Sequence, residues 1–401
     1  MSAKKFAFNS PDEAIVAIAD RLSVVGVDAE CPSCLGRVLS QSVTADRDSP
    51  AADVSAMDGY AIRLADLRPG ETIPVHGESV PGSPPPAMSE GFIVRIFTGA
   101  IVPAEADAVV KREDTEELEN AIRFRDVALS TQAGENIRRA GENARSGSTV
   151  LPAGVLVNAA HRATMVNFGC YQASLYSPVR VTVITTGDEV GVFADETPQP
   201  WQLRNSNQVA LASLIEPNPW ISIQAVQHAR DDRETLQQTL AAALPQSDAI
   251  LMTGGVSMGD YDYVPDVVRD VGGDVVFHGL PIRPGKPILG AATADGKLIL
   301  GLPGNPVSAV VGCRRFALPL LAKQSGQTQW CPPSTQVRLQ SAGSKTLPLH
   351  WMRIVKMVAA GVAEPVFSQG SGDLVSLGQS SGFVEVPAGE SGEGPWAYYP
   401  W

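Results

Sequence analysis

The spacing of apolar residues changes several times along the chain, and each change predicts a different kind of element. In PDEAIVAIADRLS (11–23), Ala14, Ile15, Ile18 and Leu22 recur at three- and four-residue steps, so they share one face of a helix. Ser10 is placed to cap it and Pro11 fits its first turn. Residues 30–42 read as a second helical segment ending near Ser42. Between 53 and 146 the apolar runs become short and β-like (AIRLAD, FIVRIFTG, DAVVKRED, AIRFRD) and alternate with turn sequences such as Arg68-Pro-Gly. That pattern predicts a β-rich insert. Residues 147–178 read as a strand, a helix and a link into the next unit, which makes the first domain discontinuous around the insert.

From residue 179 near-continuous apolar runs alternate with amphipathic ones. VRVTVITTG, ISIQAVQHA, DAILMTGG, DVVFHGL and KLILGLPG read as strands. RNSNQVALASLIE, DDRETLQQTLAAAL, YVPDVVRDVG and NPVSAVVGCRRFALPLLA read as helices. Apolar strands alternating with helices predict a doubly wound, mostly parallel sheet covered on both faces. After 326 this rhythm is lost, and WMRIVKMV, EPVFSQGSG and GFVEVPAG predict a small β domain. The expected fold is therefore multidomain α/β plus β. It has a discontinuous linking domain (1–52 and 147–178), a β-rich insert (53–146), a doubly wound domain (179–325) and a C-terminal β-rich domain (326–401).

Composition narrows the function. Of 401 residues, 31 are Lys or Arg and 43 are Asp or Glu, a net charge of −12, which disfavours binding to a phosphate backbone. No run of about 18 apolar residues is available to span a membrane, and the first residues show no signal-peptide pattern. Five cysteines (31, 34, 170, 313, 331) are too few and scattered for a disulfide framework, so a reducing cytoplasm is expected. Cys31-Pro-Ser-Cys34 has redox spacing, but no strand is expected before it.

In a doubly wound sheet ligands bind beyond the carboxyl ends of the strands. Four such ends carry Thr185-Thr-Gly-Asp-Glu189, Arg230-Asp-Asp232, Thr253-Gly-Gly-Val-Ser257 and Gly301-Leu-Pro-Gly-Asn-Pro306. Loops of this kind are always rich in Gly and Asp, but four converging on one edge favour a site. Gly254 and Gly255 allow close approach of a ligand, and Ser257 offers a hydroxyl. In GLPGNPVS, Asn305 can cap and Pro306 starts a long helix whose exposed N–H groups favour an anion, with Pro303, Gly304 and Ser308 alongside. The acids of Gly187-Asp-Glu189, of Arg230-Asp-Asp232 and of Gly259-Asp-Tyr-Asp-Tyr263 make a carboxylate-rich edge that suits Mg²⁺ better than Zn²⁺. Asp232 and Asp260 fit helix-start roles; Glu189 and Asp262 read as functional. Pro284-Gly-Lys-Pro287 presents Lys286 on a rigid turn. Arg138 and Arg139 are either anion ligands or a solvated face. No Walker A loop, G-x-G-x-x-G, H-E-x-x-H or G-x-S-x-G occurs, and the five His (76, 161, 228, 278, 350) are dispersed.

SAMDGYA, RIFTGAIVPAEADAVVKRED, NIRRAGEN, ITTGDE, RNSN, TGGVSMGDYDY, PIRPGKP and GLPGNPVSA occur in this order. The ordered set resembles the molybdopterin molybdenumtransferase family, which includes the C-terminal domain of gephyrin, and the resemblance runs from about residue 10 to 390. It implies that adenylylated molybdopterin and molybdate are substrates, that Mg²⁺ or a similar ion assists, and that AMP and molybdenum cofactor are released. It also implies a homodimer with a cleft shared between subunits, an upstream adenylyltransferase and a downstream molybdoenzyme as partners. On the matching motifs, Asp58, Thr98, Glu189, Asp231 and Asp262 take catalytic roles, the last three also as metal ligands. Gly254, Gly255, Ser257, Lys286, Pro303, Gly304, Asn305, Pro306, Ser308 and Arg139 take substrate-binding roles. One departure stands out: Arg139-Ala-Gly-Glu-Asn143 carries Asn143 where the family usually has Asp. That departure keeps open a non-catalytic molybdopterin-binding or scaffold protein. A nucleotide-dependent hydrolase, lacking a Walker loop and a triad, is a third reading.

Overall fold

The computed structural model describes residues 6–191, 197–257 and 262–401. The chain forms two compact units: Met1–Gln41, Ala153–Arg162 and Gln172–Trp401 make one, and Ser42–Pro152 with Ala163–Tyr171 the other. The four-domain division expected from the sequence is finer than this.

The smaller unit is built on a six-stranded sheet in the order Ala108–Lys111, Gly59–Ile62, Ile93–Ile96, Thr72–Ser79, Ala121–Phe124, Thr115–Glu117. Its core is made by Tyr60, Ile62, Ile93, Ile96, Val109 and Ile122. Gly59 is obligatory in this sheet, because a Cβ there would stand 2.0 Å from the Val110 carbonyl oxygen.

The larger unit holds two six-stranded sheets. The first has the order Ile221–Ala229, Val179–Thr186, Ala249–Thr253, Leu298–Leu302, Leu289–Thr293, Gly273–His278. Its first four strands pair in parallel, and the last two pairings are antiparallel, so that Leu289–Thr293 alone of the six runs the other way. Helices Ser206–Ile215, Arg233–Ala243, Val264–Asp270 and Pro306–Gly312 accompany it, and the last continues through a π-turn, Cys313–Ala317, into Leu318–Gln324. The strands are buried on both faces, with Val181, Val183 and Leu251 in one core cluster and Ile184, Ile250 and Met252 in another. This is the doubly wound layer that the apolar runs require. The second sheet runs Ile282–Arg283, His350–Ala359, Val362–Pro365, Thr335–Leu339, Trp396–Pro400, Gly382–Val386, and pairing of the last strand back to His350–Ala359 closes it into a small barrel.

Three local expectations are corrected. Residues 30–42 are not helical: strand Val27–Cys31 pairs with Ala173–Tyr176, and the chain then turns. The reason is tertiary, since Leu39 N–H donates to the Val155 carbonyl and Tyr176 N–H to the Val38 carbonyl. Those partners satisfy the backbone that a helix would have paired internally. A strand therefore does precede Cys34. The strand Leu289–Thr293 was not expected; it is made of small residues, and Gly290 lies where a Cβ would meet the Phe277 ring at 2.5 Å. Finally, Asn305 occupies the cap position of helix Pro306–Gly312, but its side chain makes no capping hydrogen bond.

Candidate functional site

The four parallel strands end on one edge, and their loops enclose a cavity of about 920 Å³. Each loop has a local reason for its path. Gly187 takes φ +130°, and a Cβ there would lie 2.9 Å from both Glu189 carboxylate oxygens. Gly254 takes φ +94°, and its Cβ would lie 2.3 Å from Thr186 Oγ1 and 3.1 Å from the Thr186 carbonyl oxygen. Only glycine fits such a close crossing of two loops. Asn205 accepts from Gln208 N–H as a helix cap and donates from Nδ2 to Thr185 Oγ1 at 2.8 Å. Asn207 Nδ2 donates to the Gly304 carbonyl at 2.7 Å, tying the helix to the GLPGNP loop.

Glu189, Asp231 and Asp262 all line this cavity, with Gly254, Gly255, Ser257, Pro303, Gly304, Asn305 and Pro306. Asp231 is the most constrained of the acids. Its Oδ2 accepts from the Asp188 N–H at 3.3 Å, and Asp188 Oδ1 accepts from the Asp231 N–H at 3.3 Å. Burial pushes the Asp231 carboxyl above the usual carboxylate range, and the negative charges of Glu189 and Asp188 push it further. The Thr186 hydroxyl beside it is buried and makes no hydrogen bond of good geometry. Two more acids behave as helix devices or fall elsewhere. Asp232 caps Arg233–Ala243 by accepting from Thr235 N–H, and Asp260 lies outside the described residues.

Among the described residues no three acidic, His or Cys side chains form a ready-made metal cluster. The donors still fit a hard cation. They are carboxylate oxygens, and the buried Thr186 hydroxyl beside Asp231 adds a further hard oxygen. Such an ion would keep waters and take further oxygens from a substrate phosphate.

A second cavity, about 860 Å³, shares Pro287, Pro303 and Asn305 with the first. Lys286 and Ser308 line it, together with Arg283, Lys345 and Arg353, and among the described residues no Asp or Glu lines it. Trp351 organises two of these cations: the Arg353 guanidinium sits 4.4 Å from its ring centroid and the Lys345 ammonium 5.6 Å. Arg353 also donates to the Ala342 carbonyl at 2.8 Å, and burial lowers its pKa. The sequence reading missed Lys345, Trp351 and Arg353 because HWMRIVKMV reads as an ordinary alternating strand. The available signal was Arg353 two residues from Trp351, on the same face of a strand.

Asp58, Thr98 and Arg139 lie in the smaller unit. There Asp58 Oδ1 accepts from both the backbone N–H and the hydroxyl of Thr98, each at 2.8 Å. These donors hold the Asp58 carboxyl below the usual range, the backbone N–H first. Arg139 is apart from this pair: its Nη1 meets Asp53 Oδ2 at 2.5 Å. Asn143 Oδ1 accepts from Arg138 Nη2 at 2.9 Å, so the amide keeps a hydrogen bond that a carboxylate would make.

Fold and site together define a multidomain protein in which a doubly wound sheet sets an acidic cavity beside a basic one. Residues 9–169 match the family model described as MoeA N-terminal region (domain I and II), and residues 182–323 the one described as probable molybdopterin binding domain. A molybdopterin molybdenumtransferase of Nostoc sp. is 33% identical over 374 residues, covering 89% of this chain and 84% of that protein. One of Haemophilus influenzae is 34% identical over 303 residues, covering 74% and 72%. The crystal structure of a molybdopterin biosynthesis moeA protein from Pyrococcus horikoshii superimposes with a TM-score of 0.75 at 26% identity, over 97% of this chain and 98% of that one. The chain belongs to the molybdopterin molybdenumtransferase family.

Proposed function

We propose that this chain transfers molybdenum from molybdate to molybdopterin presented as its adenylylated form, releasing AMP. The observation that carries the reading is the adjacency of two cavities of opposite character around Pro287, Pro303 and Asn305. A substrate with a phosphate link to be cleaved and an oxyanion to be incorporated needs both.

The residues divide the work by charge. Lys286, Arg353, Lys345 and Arg283 supply the positive field that draws an oxyanion into the second cavity. Gly254 and Gly255 leave the backbone open to a phosphate group in the first. Glu189, Asp231 and Asp262 would hold Mg²⁺ there; when bound, the ion neutralises phosphate charge and stabilises the departing phosphate. Asp231, partly desolvated beside Glu189 and Asp188, is the carboxylate whose repulsion a bound cation would relieve. The Asp58–Thr98 clasp fixes a carboxylate in one orientation, and we assign it to the same reaction.

The scaffold alternative is not favoured. A scaffold gains nothing from a half-buried carboxylate held against two like charges, and Asn143 retains its contact with Arg138. Mg²⁺, a homodimer, a cytoplasmic setting and partner enzymes upstream and downstream belong to the same proposal. No helix among the described residues is long and apolar enough to cross a membrane.

Asp231→Asn tests the assignment. We expect single-turnover AMP release to fall about 100-fold or more, without a lower melting temperature, because the amide relieves the repulsion from Asp188 and Glu189. Unchanged turnover would remove Asp231 from the machinery.

A further inference from the structure

The basic cavity has walls from two layers. Lys286, Pro303 and Ser308 come from the segments beside the doubly wound sheet, while Lys345 and Arg353 come from the C-terminal barrel. Its cations converge only if those layers hold a fixed register. Behind the cavity lies a buried charged cluster that the proposed chemistry does not use. Arg315, on the π-turn, is 3% exposed; its Nε meets Glu385 Oε2 at 2.7 Å and its Nη2 meets Asp12 Oδ1 at 2.5 Å. The other Glu385 oxygen meets His350 Nδ1 at 2.9 Å. Burial alone would raise the Glu385 carboxyl, but the His350 hydrogen bond and the Arg315 charge outweigh it and hold it below the usual range.

We propose that Glu385 and His350 are positioning residues for oxyanion binding: Glu385 ties the barrel to Arg315 of the helical layer, and His350 ties Glu385 to the strand that carries Arg353. His350 is where the pinning acts. It opens the strand His350–Ala359, three residues before Arg353, and is paired with Ile282, four residues before Lys286. A shift at this point displaces both cations at once. A buried ion pair adds little net stability over an apolar replacement, so its placement here is better explained by geometry than by stability. The π-turn points the same way, since such turns re-aim side chains near sites.

The inference rests on the oxyanion reading of the basic cavity, and the experiment separates the two. Molybdate binding is measured by calorimetry on the full-length protein and on Arg353→Ala, His350→Gln, Glu385→Gln and Asp12→Asn, each checked for folding by circular dichroism. His350→Gln leaves Arg315–Glu385 intact, so the test survives if Glu385→Gln fails to fold. We expect His350→Gln and Glu385→Gln to weaken molybdate binding roughly tenfold or more, the scale seen when an outer partner orienting a ligand-holding side chain is lost. The steady-state KM for molybdate should rise with kcat nearly unchanged. Asp12→Asn, which removes only the exposed arm of the cluster, should bind as the parent does. If Arg353→Ala binds molybdate like the parent, or the parent does not bind it, the oxyanion reading fails and the inference with it. If Arg353→Ala loses binding while folded His350→Gln keeps it, the oxyanion reading stands and the positioning role is overturned.

Discussion

Asp58 shows how a single side chain is prepared by its neighbours. Two donors from Thr98 converge on one carboxylate oxygen, and the pair is exposed. Its pKa is therefore depressed by hydrogen bonds to the charged form rather than by burial. Thr98→Val removes the hydroxyl donor and keeps the backbone one. We expect the Asp58 carboxyl, followed by ¹³C NMR, to titrate at higher pH than in the parent while staying below the ordinary carboxylate value. An unmoved titration would show that the hydroxyl contributes nothing. The sign of the linkage follows. The folded pKa lies below the unfolded one, so the clasp stabilises above the ordinary carboxylate range, and that contribution is lost as pH falls through the folded value. Both residues were legible in MDGYA and FTGA, whereas their hydrogen bonds depend on sheet pairing that no local pattern encodes.

At the scale of elements, the apolar runs of the doubly wound sheet were readable because burial on both faces leaves no alternation to confuse them. VRVTVITTG and DAILMTGG each end in the glycine that begins a site loop, so strand and site were legible together. The segment 30–42 was not, because Val38, Leu39 and Val43 fit a helical face as well as a paired chain, and distant carbonyls decide between them. Leu289–Thr293 was hidden by its small residues, whose room is set by Phe277. The basic cavity was half legible: Lys286 stood out between two prolines, while Lys345 and Arg353 became meaningful only when the barrel brought them to Trp351. The loop crossing at Gly254 provides an element-scale prediction. Gly254→Ala forces a Cβ to 2.3 Å from Thr186 Oγ1 at a positive φ. It should cost about 1–3 kcal/mol in urea denaturation and lower AMP release more than the stability loss explains. A variant as stable and active as the parent would mean that the loop relaxes freely.

For the molecule as a whole, the balance of charge is informative. The chain carries a net charge of −12, yet among the described residues no acid lines the cavity of Lys286, Lys345 and Arg353. Its neighbour is lined by Glu189, Asp231 and Asp262. Segregating the two signs within one unit allows an oxyanion and a phosphate-linked substrate to be held side by side, which neither cavity achieves alone. Family membership points to the reaction, and this segregation of charge is consistent with it. The most direct measurement is AMP release from adenylylated molybdopterin by the purified protein with Mg²⁺, with and without molybdate. Molybdate-dependent release is the predicted result. Tight binding without release, or release that ignores molybdate, would contradict the account.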